Sequence, residues 1–94
     1  LTKDDIREIL HLQMDALRRK LDENGVGIKF TEAFEDYMTT EGYDPAYGAR
    51  PIKRLMQREL VNLIAKAILE GKVTRGSTVS VDVKDGQVII GEIA

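Results

Sequence analysis

"TVSVDVKDGQVIIGEI", residues 78–93, decides the fold. Val79, Val81 and Val83 alternate with Ser80 and Asp82, the period of a strand with one buried face. Asp85-Gly86 supplies a two-residue hairpin turn of the primed type. Such a turn pairs position 83 with 88 and 81 with 90. Val88 and Ile90 then join the three valines on one face, while Ile89 and Ile93 fall on the other. A two-stranded hairpin is barely stable in water. It needs a third strand and a cover for its apolar face, and the upstream sequence offers both.

The third strand is "VGIKF", residues 26–30, with Val26, Ile28 and Phe30 in alternation. The cover is helical. Over residues 3–23, Ile6, Ile9, Leu10, Met14, Leu17 and Leu21 recur at helical spacing and form one apolar stripe. Thr2 and Asp5 are placed as a capping box, Asp4 and Asp5 suit the positive end of the helix dipole, and Asn24-Gly25 stops the run. Thr31 caps a second helix, residues 32–41, which turns Ala33, Phe34, Tyr37 and Met38 toward a core. Gly42 ends it, in keeping with the freedom of glycine to become left-handed. A third helix runs from Arg50 to about Glu70, with Pro51 in its first turn, and Gly71 closes it. Its inward positions are Ile52, Met56, Leu60, Leu63, Ile64, Ala67 and Ile68. The expectation is a single α+β domain over residues 1–94: three helices packed with a small three-stranded sheet.

Composition bounds the chemistry. The 94 residues carry 14 basic and 16 acidic side chains, a net charge of −2, which gives no support to nucleic-acid binding driven by overall charge. No cysteine is present, which excludes disulfides and thiolate metal sites and suits a cytosolic protein as well as many secreted domains. No apolar run approaches the ~20 residues of a membrane span. The first residue is leucine, which points to an excised or processed piece of a longer chain. "GVGIKF", residues 25–30, has neither the spacing nor the Ser/Thr of a phosphate loop. The lone histidine, His11, reads as a partly exposed helix residue, and no histidine-based metal cluster can form.

What remains is "GYDPAYGAR", residues 42–50, too rich in special residues for a plain connector. It delivers Arg50 to a helix N-terminus, where unpaired N–H groups and the helix dipole favour anions, phosphate in particular. The planar guanidinium can hold two phosphate oxygens. Gly48 and Ala49 keep side-chain bulk away, so a ligand can approach the backbone. Pairing of Arg50 with Asp44 is the competing reading, and sequence alone leaves both open. Arg50, Arg54 and Arg58, with Lys53 beside them, form a stripe that reads as a solvated face or a protein interface. Tyr43 and Tyr47 read as residues that pack the turn.

With these residues in view, "GYDPAYGARPIKRLMQREL" (residues 42–60) resembles the second-sensor region of the Clp group of AAA+ ATPases. The resemblance extends over the first helix, with Ile6, Ile9 and Gln13, and over "ENGVGIKFTEAF" and "LIAKAILEGKVTRGSTVSVDV". The C-terminal small subdomain of the second ATPase module of ClpB-type disaggregases fits best, while the protease-linked ClpC and ClpA types share "GYD" and "GAR". The resemblance implies that Arg50 is the second sensor, reaching the terminal phosphates of ATP or ADP with Mg held by a large subdomain. It places Ala49, Gly48 and Ile9 beside the nucleotide, Ala49 and Ile9 on the adenine side. The implied partners are that large subdomain, neighbouring protomers of a hexamer, unfolded or aggregated polypeptide and a DnaK-type chaperone system, in the cytoplasm, with no nucleic acid and no membrane. Because the phosphate loop and the water-activating acids are missing, the resemblance implies no catalytic residue and no turnover by this stretch alone. The alternative is an interaction module in which the basic helix binds a partner and Arg50 is incidental.

Overall fold

The structure, a computed structural model, describes residues 2–93, with Glu92 and Ile93 described in their backbone only. The expected outward side chain of Ile93 and the outer bounds of the domain, 1 and 94, therefore lie outside the described residues. Helix α1 spans Lys3–Asp22, strand β1 Gly27–Phe30 and helix α2 Glu32–Glu41. A third helical course follows without a break: α3 (Arg50–Leu55), a π-helical stretch (Met56–Val61) and α4 (Asn62–Leu69). Strands β2 (Thr78–Lys84) and β3 (Gln87–Ile93) complete the chain, an α+β domain of three helices and a three-stranded mixed sheet.

The hairpin forms in the expected register, with Val83 opposite Val88 and Val81 opposite Ile90. Asp85 and Gly86 both take positive φ, 52° and 75°, as a primed turn demands. Strand β1 joins the free edge of β2 in parallel, Ile28 beside Val79 and Phe30 beside Val81. The central strand is therefore paired on both edges, and its Val79 and Val81 are wholly buried. A parallel pair needs a long crossover, and all the helical sequence after α2 has begun serves as one. Ile6, Leu10, Met14, Leu17 and Leu21 of α1, Phe34 and Met38 of α2, and Ile52 and Leu60 of the third course close over the valine face.

Local signals act as their chemistry requires. At the start of α1 the Asp5 N–H donates to Thr2 Oγ1 (3.2 Å) and the Thr2 N–H to Asp5 Oδ2 (2.9 Å), a complete capping box. Thr31 does two jobs. Its hydroxyl accepts from the Phe34 N–H at 3.2 Å and donates to Asp82 Oδ1 on β2 at 2.9 Å, tying the start of α2 to the sheet. Thr31→Ala is expected to cost about 1–2 kcal/mol by denaturant melts, whereas Thr31→Ser should stay within about 0.5 kcal/mol of the parent. Arg7 reaches Asp36 (2.6 Å) and Glu35 (3.4 Å) to join α1 to α2, and His11, half exposed, lies 2.5 Å from the same Glu35.

Four expectations need correction. Ala33 is exposed, because it sits about 100° around the helix from Phe34, off the narrow stripe that Phe34 and Met38 define. Gly42 ends α2 at φ −84°, outside the left-handed region. It is buried, and a Cβ there would run into the Met38 carbonyl and the Ile52 side chain. Close packing, then, calls for glycine. Ile68 is 43% exposed and Leu55 is buried, the reverse of what a uniform helix implies. The π-helical stretch is the cause. A spacing of four drifts by about 40° per step in an α-helix, so, counted from Ile52, Met56, Leu60 and Ile64 would be carried around by about 120° in all. The wider π turn, in which the Asn62 N–H reaches the Gln57 carbonyl, absorbs that drift. All three stay buried, Ala67 takes the next inward position, and Ile68 turns out. The fourth concerns Tyr43 and Tyr47, which are exposed and do not pack the turn.

Candidate functional site: an arginine cleft at the start of the third helix

The stretch from Gly42 to Arg50 is held by its own backbone. Asp44 and Gly48 exchange both of their main-chain hydrogen bonds, Asp44 N–H to Gly48 O at 2.8 Å and Gly48 N–H to Asp44 O at 2.6 Å. Gly48 sits at φ 65°, where side chains are disfavoured. Asp44 Oδ1 accepts from the Ala46 N–H (2.7 Å) and the Tyr47 N–H (3.2 Å), so this carboxylate is spent on the turn. The competing reading, an Arg50–Asp44 pair, does not form. Among the described residues no carboxylate lies within ion-pair distance of Arg50.

With the turn closed by Asp44, the tyrosines are not needed to pack it. Tyr43 is 45% exposed and Tyr47 62%. Tyr43 edges a small, largely apolar hollow with Ile6 and Thr39, and Tyr47 flanks Arg50. Tyr47, Arg50, Pro51 and Arg54 line an open cleft of about 400 Å³. Arg54 is the residue that the sequence reading passed over here, having been assigned to a uniform basic stripe. One turn along the same helix, a second guanidinium shares the cleft, and the i, i+4 spacing was the available signal. Lys53 faces elsewhere, toward α1, and the Arg58 head lies 3.8 Å from Glu59. The stripe is thus split three ways.

The helix end contributes less than expected. The Arg50 N–H points back to the Tyr47 carbonyl (3.3 Å), Pro51 has none, and the Ile52 N–H reaches the Ala49 carbonyl (3.1 Å). An anion here meets side-chain guanidinium groups first, with few free backbone donors. Ala49 is half buried against the core just ahead of the helix, and Gly48 beside it is half buried. Ile9 packs half-buried on the flank of α1 that also carries Gln13 and is not part of the Arg50 cleft lining. The cleft thus gathers Arg50 with Arg54 and Tyr47, leaving Ile9 to one side.

Elsewhere on the third helical course, the Tyr37 hydroxyl donates to Glu59 Oε1 at 3.3 Å, bridging α2 to the π-helical stretch. Burial, then the negative charge of Glu59, pushes this phenol above the usual tyrosine range. The folded state therefore holds the proton more tightly than the unfolded chain does. The resulting stability is complete below the ordinary phenol range, about pH 10, and is lost as pH rises through the raised value. Tyr37→Phe should flatten that alkaline limb in melts recorded from pH 8 to 11.

Fold and cleft together define a small α+β domain with two guanidinium groups, Arg50 and Arg54, on one open cleft. The chain belongs to the family described as the C-terminal, D2-small domain of ClpB protein, part of the AAA+ group, whose family model matches residues 1–81. It is 43% identical over 90 residues to chaperone protein ClpB 1 of Parasynechococcus marenigrum, covering 96% of this chain and 10% of that protein. It is 42% identical over 85 residues to ClpB 2 of Nostoc, covering 90% and 10%, and 45% identical over 82 residues to ClpB of Rhodopirellula baltica, covering 87% and 9%. The chain spans about a tenth of the length of these curated relatives. Among the described residues no helix is long and apolar enough to cross a membrane.

Proposed function

We propose that this chain is the nucleotide-sensing small subdomain of a hexameric, ATP-dependent ClpB-type disaggregase of the cytoplasm. The observation that carries the reading is Arg50: exposed, without an ion pair among the described residues, and set on an open cleft in a ClpB D2-small domain. In this reading a large subdomain of the same longer protein binds ATP or ADP with Mg, and Arg50 reaches across to the terminal phosphates. Gly48 and Ala49 let the nucleotide approach the backbone, and Ile9 borders its adenine side. Loss of the terminal phosphate removes the anion that holds the two subdomains together. The change in their arrangement passes to neighbouring protomers and drives threading of aggregated polypeptide supplied with a DnaK-type system.

Two binding measurements test this. Titration of the 94-residue chain with ATP should give no heat signal, because exposed charge pairs contribute only about 0–1 kcal/mol each. Submicromolar binding by the chain alone would contradict the reading. In the longer protein, Arg50→Ala should weaken ATP binding and leave hexamer formation intact. Unchanged nucleotide affinity with collapsed assembly would reassign Arg50 to an interface.

A further inference from the structure

A larger concavity lies between the C-terminal half of α1 and the junction of α3 with the π-helical stretch, about 510 Å³ in volume and sharing no lining residue with the Arg50 cleft. Its apolar lining includes Leu17 and Met56, both buried, and the half-buried Val61. Around it stand Arg19 and Lys20 from α1 and Lys53 from α3, all exposed, against a single acid, Glu23. Among the described residues none of these three cations has a carboxylate within ion-pair distance. That imbalance stands out in a chain whose acids outnumber its bases, 16 to 14. One wall is built from the π-helical stretch itself, through Met56, Gln57 and Val61. Such insertions occur frequently at functional sites.

We propose that this groove docks an acidic amphipathic helix of another polypeptide segment. Apolar side chains on one face of the incoming helix would rest on Leu17, Met56 and Val61. Carboxylates flanking that face would meet Lys20 on one wall and Lys53 on the other. The chemistry selects a helix over a small anion, because the cations stand on opposite walls around an apolar floor instead of converging on one point. This is the groove-and-helix mode of recognition, with charge setting the choice of partner.

The test uses the isotope-labelled chain and three synthetic helical peptides that share a leucine stripe and carry glutamate, glutamine or lysine on the flanks. The glutamate peptide is expected to shift the amide resonances of residues 13–23 and 53–61, and 0.5 M salt should weaken it. Lys20→Glu with Lys53→Glu should weaken binding about tenfold, the effect of losing two or three exposed charge pairs. Both positions are exposed, so the fold should persist, with the Val79 and Val81 resonances as the control. Equal binding of the glutamine peptide, preference for the lysine peptide, shifts confined to Tyr47–Arg54, or no shift at millimolar peptide would each overturn the proposal. Shifts confined to Tyr47–Arg54 would also mark the Arg50 cleft as an interface, whereas the other outcomes leave the role of Arg50 untouched.

Discussion

If Arg50 is the proposed sensor, Arg50→Ala in the longer protein is expected to lower ATP turnover about a hundredfold while leaving the small domain as stable as before, within about 0.5 kcal/mol. Both halves come from the same geometry. The side chain is exposed and has no ion-pair partner among the described residues, so removing it orphans no buried group. In the proposed reading, what is lost is a charged donor fork directed at the phosphate oxygens on which charge develops during transfer. Removal of one such donor typically costs ~10²–10³ in rate. Arg50→Lys keeps the charge and loses the planar pair of donors, so it should recover only part of the activity. Arg54→Ala should act in the same direction and more weakly, since Arg54 stands a turn farther from the helix tip. Steady-state turnover and thermal melts on the same variants check both halves. A melt of Arg50→Ala displaced by ten degrees or more, about 2 kcal/mol in a domain of this size, would make Arg50 a structural residue and remove the basis of the sensor reading.

The second large effect falls on Gly42. Alanine at this position should cost about 3 kcal/mol and lower the melting temperature by roughly 15 °C. The backbone there is ordinary, φ −84°, so conformational strain is not the cause. The new methyl group would meet the Met38 carbonyl of the last turn of α2 and the wholly buried Ile52 of α3. Ile52 can give way by changing rotamer, but the carbonyl is backbone and already accepts the Gly42 N–H at 2.8 Å. Relief therefore requires the last turn of α2 to open at the Met38 carbonyl as well as Ile52 to give way, which loosens the core around Met38. Trimming Ile52 to alanine in the same chain should make Gly42→Ala less harmful, giving a coupling of about 1 kcal/mol in a double-mutant cycle. Strict additivity would show that the clash lies with the carbonyl alone.

The residue pattern alone determined the hairpin, its register and its turn, because a period of two and a two-residue Asp-Gly link admit few alternatives. It also determined the apolar stripe of α1, both threonine caps and the place of Arg50 at a helix start, each set by neighbours within a few positions. The motif around Arg50 was legible enough to indicate the family. Tertiary structure decided what depends on partners distant in sequence. It paired β1 in parallel with β2, and it spent Asp44 on its own turn, which freed Arg50 and left Tyr47 exposed beside it. It brought Arg54 into the cleft while sending Lys53 to another groove. It also made Gly42 a contact between two helices, although its type had suggested a left-handed cap. The π-helical stretch belongs here too. Local periodicity assumes one pitch throughout, whereas keeping Ile52, Met56, Leu60 and Ile64 together on one narrow buried face is helped by a change of pitch, and only packing imposes that demand.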